Sequence, residues 1–101
     1  MVFFAAVLAA TGCLSPTLPL PPPNQPQQSD VDESGVVHLT GAVRAESWVY
    51  ALNQATNKGY IQITGTDGRY DLAVEAQRGD PMVMWYEFER EPSEPLYFEI
   101  K

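Results

Sequence analysis

Residues 61–80 read I-Q-I-T-G-T-D-G-R-Y-D-L-A-V-E-A-Q-R-G-D, one alternating segment between two turn signals. Gly65-Thr66-Asp67-Gly68 has the composition of a tight hairpin turn, because Asp and Gly tolerate the positive φ that a two-residue β-loop needs. Arg69-Tyr70-Asp71-Leu72-Ala73-Val74-Glu75 alternates polar and apolar almost strictly. That period belongs to a strand with one face buried, and it predicts Tyr70, Leu72 and Val74 inward. Gly79-Asp80-Pro81 then ends the strand with a second turn. Asp67, Gly68, Gly79 and Asp80 are accordingly the turn-forming residues, and the fold they punctuate is β.

The same texture extends on both sides. Strands are expected at 36–44, 47–53, 60–64, 69–75, 82–89 and 96–100. Residues 54–59 make a polar loop ending in Gly59, and Pro92-Ser93-Glu94-Pro95 cannot continue a ladder because proline has no N–H to donate. Beyond the N-terminal run, no apolar period of 3.6 is long enough for a helix. Short strands with frequent turns point to a sandwich or barrel over residues 36–101. At that size a single apolar core is marginal, and the single cysteine, Cys13, permits no internal disulfide. Aromatic packing has to compensate: every aromatic residue except Phe3 and Phe4 lies between Trp48 and Phe98.

Composition divides the chain in two. Asp30 is the first charged residue, and from it onward lie all 13 acidic and 6 basic side chains, for a net charge of −7. Without clustered Lys and Arg there is nothing to neutralise phosphate, which argues against nucleic acid and against electrostatic docking on anionic lipid. Residues 1–12 read M-V-F-F-A-A-V-L-A-A-T-G. The apolar run is too short to cross a bilayer but has the length of a signal-peptide core, followed by small residues.

Ala10-Thr11-Gly12-Cys13 resembles the lipobox of bacterial lipoproteins, in which a peptidase cuts before the cysteine and the thiol is diacylated. The resemblance implies a signal peptide at 1–12, an acyl anchor on Cys13, and a location in the bacterial cell envelope, lipid-anchored at the outer membrane. One departure stands: no Lys or Arg precedes the apolar run. It leaves two readings, a start upstream of Met1, or an apolar N-terminus that is no leader and a cysteine that is merely structural. Residues 13–35 hold the lipidated cysteine and a segment dense in proline from Pro16 to Pro26. With few apolar side chains and no period, that segment is expected to be a disordered stalk rather than a core. Extended at about 3.1 Å per residue, it would reach roughly 70 Å. Its PxxP spacing could suit an SH3-type groove, but a solvated stalk is the expectation in an exported chain.

A further resemblance rests on Gly41-Ala42-Val43, Val49-Tyr50-Ala51-Leu52-Asn53, Gly59, Thr66-Asp67-Gly68-Arg69-Tyr70-Asp71-Leu72 and Gly79-Asp80, in that order. The pattern is similar to the carboxypeptidase-regulatory-like, transthyretin-like (prealbumin-like) β-sandwich family. It covers residues 36–84, and 85–101 fit loosely. The resemblance implies an all-β fold, a small Greek-key β-sandwich of six to seven strands, and a noncatalytic module of the kind appended to enzymes or surface proteins. Its register implies Val49, Ala51, Met82, Met84 and Tyr86 inward, with Trp48, Tyr50, Leu52, Val83 and Trp85 outward. Apolar residues on both parities mean a face covered by another element or an exposed patch that meets a partner. Trp48, Tyr50, Val83 and Trp85 are the candidate partner face.

Chemistry has little to work with. A Ser47, His38, Asp67 set can be drawn, but any chain of this size permits such a drawing. Zinc lacks ligands, with one histidine and a committed Cys13. For calcium, Asp30, Asp32 and Glu33 cluster before the domain, and Asp67, Asp71 and Asp80 lie near turns, where hard oxygen ligands are often placed. The D-G-R-Y-D spacing, however, puts a strand step between Asp67 and Asp71 rather than a ligand loop. No catalytic residue, metal or cofactor is expected. The expected function is that of a noncatalytic envelope lipoprotein whose β-sandwich engages an envelope protein. The alternatives are a carbohydrate- or calcium-binding module, or an accessory subunit of an envelope enzyme or secretion apparatus.

Overall fold

Where the sequence alternates, the chain is extended. The computed structural model describes residues 19–101, and among them there are eight strands and no helix. The strands are β1 (Gln27–Gln28), β2 (Val36–Ala42), β3 (Trp48–Asn53), β4 (Lys58–Ile63), β5 (Arg69–Glu75), β6 (Pro81–Phe88), β7 (Glu91–Pro92) and β8 (Leu96–Glu99). The six longer ones are the six expected from sequence, with ends shifted by a residue or two. Gly59 lies inside β4 rather than closing the loop before it.

All strand pairings are antiparallel, in two sheets. One has the order β1-β2-β5; the other has β4-β3-β6-β7, with β8 also paired to β6. The sheets face each other as a sandwich. Val37, Leu39, Tyr70, Leu72 and Val74 come from the three-stranded sheet, and Val49, Ala51, Met82, Met84, Tyr86 and Phe98 from the five-stranded one. The inward register expected for Tyr70, Leu72, Val74, Val49, Ala51, Met82, Met84 and Tyr86 is the observed one.

The Asp67-Gly68 turn exists but is not a hairpin. β4 pairs with β3 and β5 with β2, so the turn carries the chain from one sheet to the other. Its form is tight: Gly68 N–H donates to the Gly65 carbonyl at 3.1 Å, and Arg69 N–H donates to Asp67 Oδ1 at 3.0 Å. Gly68 has φ +72°, Val43 N–H donates to its carbonyl at 2.9 Å, and a Cβ at residue 68 would overlap the Val43 carbonyl. Glycine is required there twice over, for backbone conformation and for space. The two-residue hairpin with both φ positive, the I′ geometry, lies instead between β6 and β7 at Glu89 (φ 51°) and Arg90 (φ 68°). Neither residue carries the usual Asn-Gly signal. Pro92, expected to break the ladder, sits in β7 opposite Glu87, between the bonded pairs on either side, where its missing N–H would only have faced outward.

The second correction concerns the expected stalk. Residues 19–35 are part of the folded unit, so its boundary precedes Val36. β1 pairs with β2, Pro23 and Pro26 are buried, and Leu20 and Val31 pack against the core. Glu94 N–H donates to the Leu20 carbonyl at 2.9 Å. Gln28 clips this segment to the last strand: its Nε2 donates to the Glu99 carbonyl at 3.0 Å and its Oε1 accepts from Lys101 N–H at 2.9 Å. Proline rings bury apolar surface without losing side-chain entropy, so a proline-rich segment with no helix or strand period can still cover a sheet edge. The signal-peptide and Cys13 expectations lie outside the described residues.

Candidate partner face

The outer surfaces of the two sheets differ in kind. On the five-stranded sheet, cross-strand register sets the outward side chains in rows: Ile63, Trp48 and Glu87; then Ile61, Tyr50 and Trp85; then Leu52, Val83 and Tyr97. Trp48 is 45% exposed, Ile61 60%, Ile63 56% and Tyr97 65%. Tyr50 and Trp85 are half-buried and stack on each other, centroids 5.3 Å apart and planes at 10°. The Tyr50 hydroxyl lies 3.4 Å from Glu87 Oε1, and burial, then that carboxylate, raises its pKa above the ordinary tyrosine value. Val83 faces the same way but is 7% exposed, flanked across the sheet by Leu52 and Tyr97. No described residue covers the patch.

Three of the four face residues expected from sequence therefore reach the surface, and Val83 forms its floor. Ile61, Ile63 and Tyr97 belong to the patch but were not singled out from sequence. Alternation through β4, with Tyr60 and Gln62 on the other parity, carried the signal for the isoleucines.

Tyr60 and Gln62 do a different job. The Tyr60 hydroxyl accepts from Glu75 N–H at 3.0 Å, and Gln62 Oε1 accepts from Asp71 N–H at 2.9 Å. They cap the outer edge of β5 and close the sandwich along that side.

The turn residues act as braces. Asn53 is fully buried; its amide donates to Asp80 Oδ2 at 2.9 Å and to the Glu75 carbonyl at 3.1 Å, and its Oδ1 accepts from Ala55 N–H at 2.9 Å. Asp80 Oδ2 also accepts from Gln77 N–H at 2.9 Å. The Asn53 and Gln77 hydrogen bonds favour the ionised carboxylate and lower the Asp80 pKa. Gly79, at φ +88°, donates to the Ile100 carbonyl at 2.7 Å. All four residues expected at turns lie at turns of the chain.

The other constellations are not assembled. His38 is exposed on the three-stranded sheet, where its Nδ1 lies 2.7 Å from Asp71 Oδ1. Ser47 is buried just before β3, its N–H donating to Thr64 Oγ1 at 2.9 Å. The acids are engaged separately: Asp32 accepts from Ser34 and Val36, Asp67 from Arg69, and Asp80 from Asn53 and Gln77. Among the described residues no three His, Cys, Asp or Glu side chains converge as metal ligands.

No family model, curated protein or solved structure matches the chain. Function must be argued from the two surfaces themselves. A hollow of about 670 Å³ beside β2 and β5 is lined by Asn24, Gln25, Gln27, Thr40, Arg69 and Asp71 among others. Its lining mixes polar and apolar surface, and Tyr70 beneath it is buried and offers no open ring face for a sugar to stack on.

Proposed function

We propose that this chain is a noncatalytic docking module of the bacterial cell envelope, held by an acyl anchor on Cys13 and engaging a protein through the outer face of its five-stranded sheet. The observation that carries the docking is the contiguity of Trp48, Tyr50, Ile61, Ile63, Trp85 and Tyr97 on one broad, nearly uncharged surface. Single exposed apolar residues are ordinary, whereas a continuous patch rimmed by polar groups is the mark of an interaction site. Trp and Tyr are also the residues that most often anchor interfaces.

A protein partner fits better than a sugar. Tyr50 and Trp85 spend their ring faces on each other, and Glu87 is the acidic residue among the rows. A sugar platform needs open ring faces with polar groups beside them. The anchor reading rests on Ala10-Thr11-Gly12-Cys13 and its resemblance to a lipobox. Within the transthyretin-like family the same design, a small sandwich without catalytic residues, would serve as such a module.

A photo-crosslinking residue placed at Tyr97, at the rim of the patch, tests the docking while leaving Trp48 in place, with one at His38 on the opposite sheet as control. Adducts with an envelope protein are expected from the first position alone. Equal labelling from both faces, or none from Tyr97, sinks the docking reading. Mass spectrometry tests the anchor separately: the mature chain should begin at an acylated Cys13, and an unmodified Met1 would contradict it.

A further inference from the structure

The strand edges of the sandwich are not treated alike. On β5 the outward N–H groups of Asp71 and Glu75 are capped by Gln62 and Tyr60, and the Glu75 carbonyl by Asn53. On β8 the Glu99 carbonyl is capped by Gln28, and β7 carries Pro92. β4 has no such cover. Thr64 N–H donates to the Ser47 carbonyl, which sets the phase of the β3–β4 ladder: Lys58, Tyr60 and Gln62 bond to β3. The N–H and C=O groups of Gly59, Ile61 and Ile63 therefore point away from β3, and among the described residues nothing bonds them. The strand has no proline and no acidic side chain, and its single charge, Lys58, is paired with Glu75 at 2.7 Å. A long apolar edge without these protections is a template for another strand.

We infer that β4 pairs antiparallel with β4 of a second copy of this chain, about a two-fold axis at Ile61. In that register Ile61 lies opposite itself and Gly59 opposite Ile63, so all three free residues of each copy meet free groups of the other. A shift of one residue would set free groups against groups already bonded to β3 and make no ladder at all. Gly59 has no side chain to compete with the Ile63 side chain that faces it on the outer surface. This inference stands on the fold and the free edge, not on the docking reading. Its consequence for that reading is that two apolar faces would join into one.

The register is directly testable in the full chain carrying Cys13→Ser, so that an introduced cysteine is the sole thiol. Under mild oxidation Ile61→Cys should form a covalent dimer by itself. Gly59→Cys and Ile63→Cys should crosslink to each other when mixed but at least about tenfold less when either is alone, because like positions would sit roughly 13 Å apart along the strands, beyond disulfide reach. Ile61→Pro removes an N–H that bonds nothing within one copy, so the domain should fold while the dimer dissociation constant rises at least about tenfold in sedimentation. Should that variant fail to fold, Ile61→Lys sets two ammonium groups side by side at the axis and should have the same effect. Trp48→Ser, off the edge, should leave the dimer intact even where it abolishes docking, which separates failure of one idea from failure of the other. A chain that sediments as a monomer at all concentrations, or that crosslinks through Tyr97→Cys in preference to Ile61→Cys, overturns the inference.

Discussion

The two sheets of this domain are alike inside and unlike outside. Both contribute unbroken apolar rows to one core. Outside, the three-stranded sheet carries His38, Asp71, Ala73 and Glu75, while the five-stranded sheet carries Trp48, Ile61, Ile63 and Tyr97. Folding needs only one apolar face per sheet, and the three-stranded sheet has no more than that. The second apolar face of the other sheet exceeds what the fold requires. It also raises the risk of misassociation, so the surplus needs a use outside the domain.

Breaking the link between the sheets should have the largest effect. Gly68→Ala forces a side chain onto a φ of +72° and into the Val43 carbonyl. A loss of about 3 kcal/mol or more is expected, combining backbone strain with overlap, and in so small a domain this approaches the whole stability. Gly79→Ala is the control: its φ is +88° but a Cβ there meets nothing within 4 Å. Only the strain of positive φ applies, about 1 kcal/mol. Equal melting midpoints for the two variants would show that the crossover does not hold the sheets in place.

Next come the inner faces, where the sheets should behave identically. Leu39→Ala and Met84→Ala each empty a fully buried site, one on either sheet, and each should cost about 2–5 kcal/mol in denaturant titrations. A small loss at only one of them would mean that its sheet is not well packed.

Tyr70 and Tyr50 compare inside with outside by pH. Burial pushes the Tyr70 phenol up to about 12, with only the Met84 sulfur, 3.8 Å away, as partner. The neutral phenol is the form the fold accepts. Its contribution is complete below the unfolded value of about 10 and is lost as pH rises towards about 12, because the unfolded chain ionises first. Tyr70→Phe should keep neutral-pH stability and flatten the alkaline decline, whereas Tyr50→Phe should change that decline less. Asp80 works at the other end. Its lowered pKa makes its contribution present above the ordinary carboxylate range and lost as pH falls through the lowered value, so Asp80→Asn should cost stability nearer neutral pH and flatten the decline in acid.

How much of this was readable beforehand follows from range. The six long strands and the inward parity of Tyr70, Leu72 and Val74 were legible because alternation is a local property of the chain. The partner of each strand was not. Thr66-Asp67-Gly68 looks like a hairpin whether the chain returns along its own sheet or crosses to the other, and only the pairing of β5 with β2 decides it. The I′ hairpin was missed because Glu89 and Arg90 adopt positive φ without the residues that favour it. The packing of Pro23, Pro26 and Leu20 was missed because proline-rich chain has no period to read, and its burial depends on a sheet edge that exists only once the domain has folded. The partner face was half legible: Trp48, Tyr50 and Trp85 declare themselves by wrong parity, but Val83 turns out to be floor, which depends on its neighbours across the sheet.

The smallest effects on stability should come from the outer faces, and there the contrast is sharpest. His38→Ala removes an exposed hydrogen-bond partner of Asp71, and exposed polar pairs contribute about 0–1 kcal/mol. Trp48→Ser removes a side chain 45% exposed, and substitutions at such sites usually stay within about 0.5 kcal/mol. Thermal melts should hardly separate either variant from the parent. Behaviour with partners should separate them fully. Capture of the photo-crosslinked envelope protein should fall with Trp48→Ser and persist with His38→Ala, since only the first lies on the apolar surface. Should Trp48→Ser unfold the domain, the ring is core after all and the five-stranded sheet has no surplus to explain. Should it melt like the parent and still capture the same protein, the surplus is real but serves something other than docking at Trp48. Either result would redraw the comparison, because it is the pairing of a silent melt with a lost partner that makes an apolar outer face a functional one.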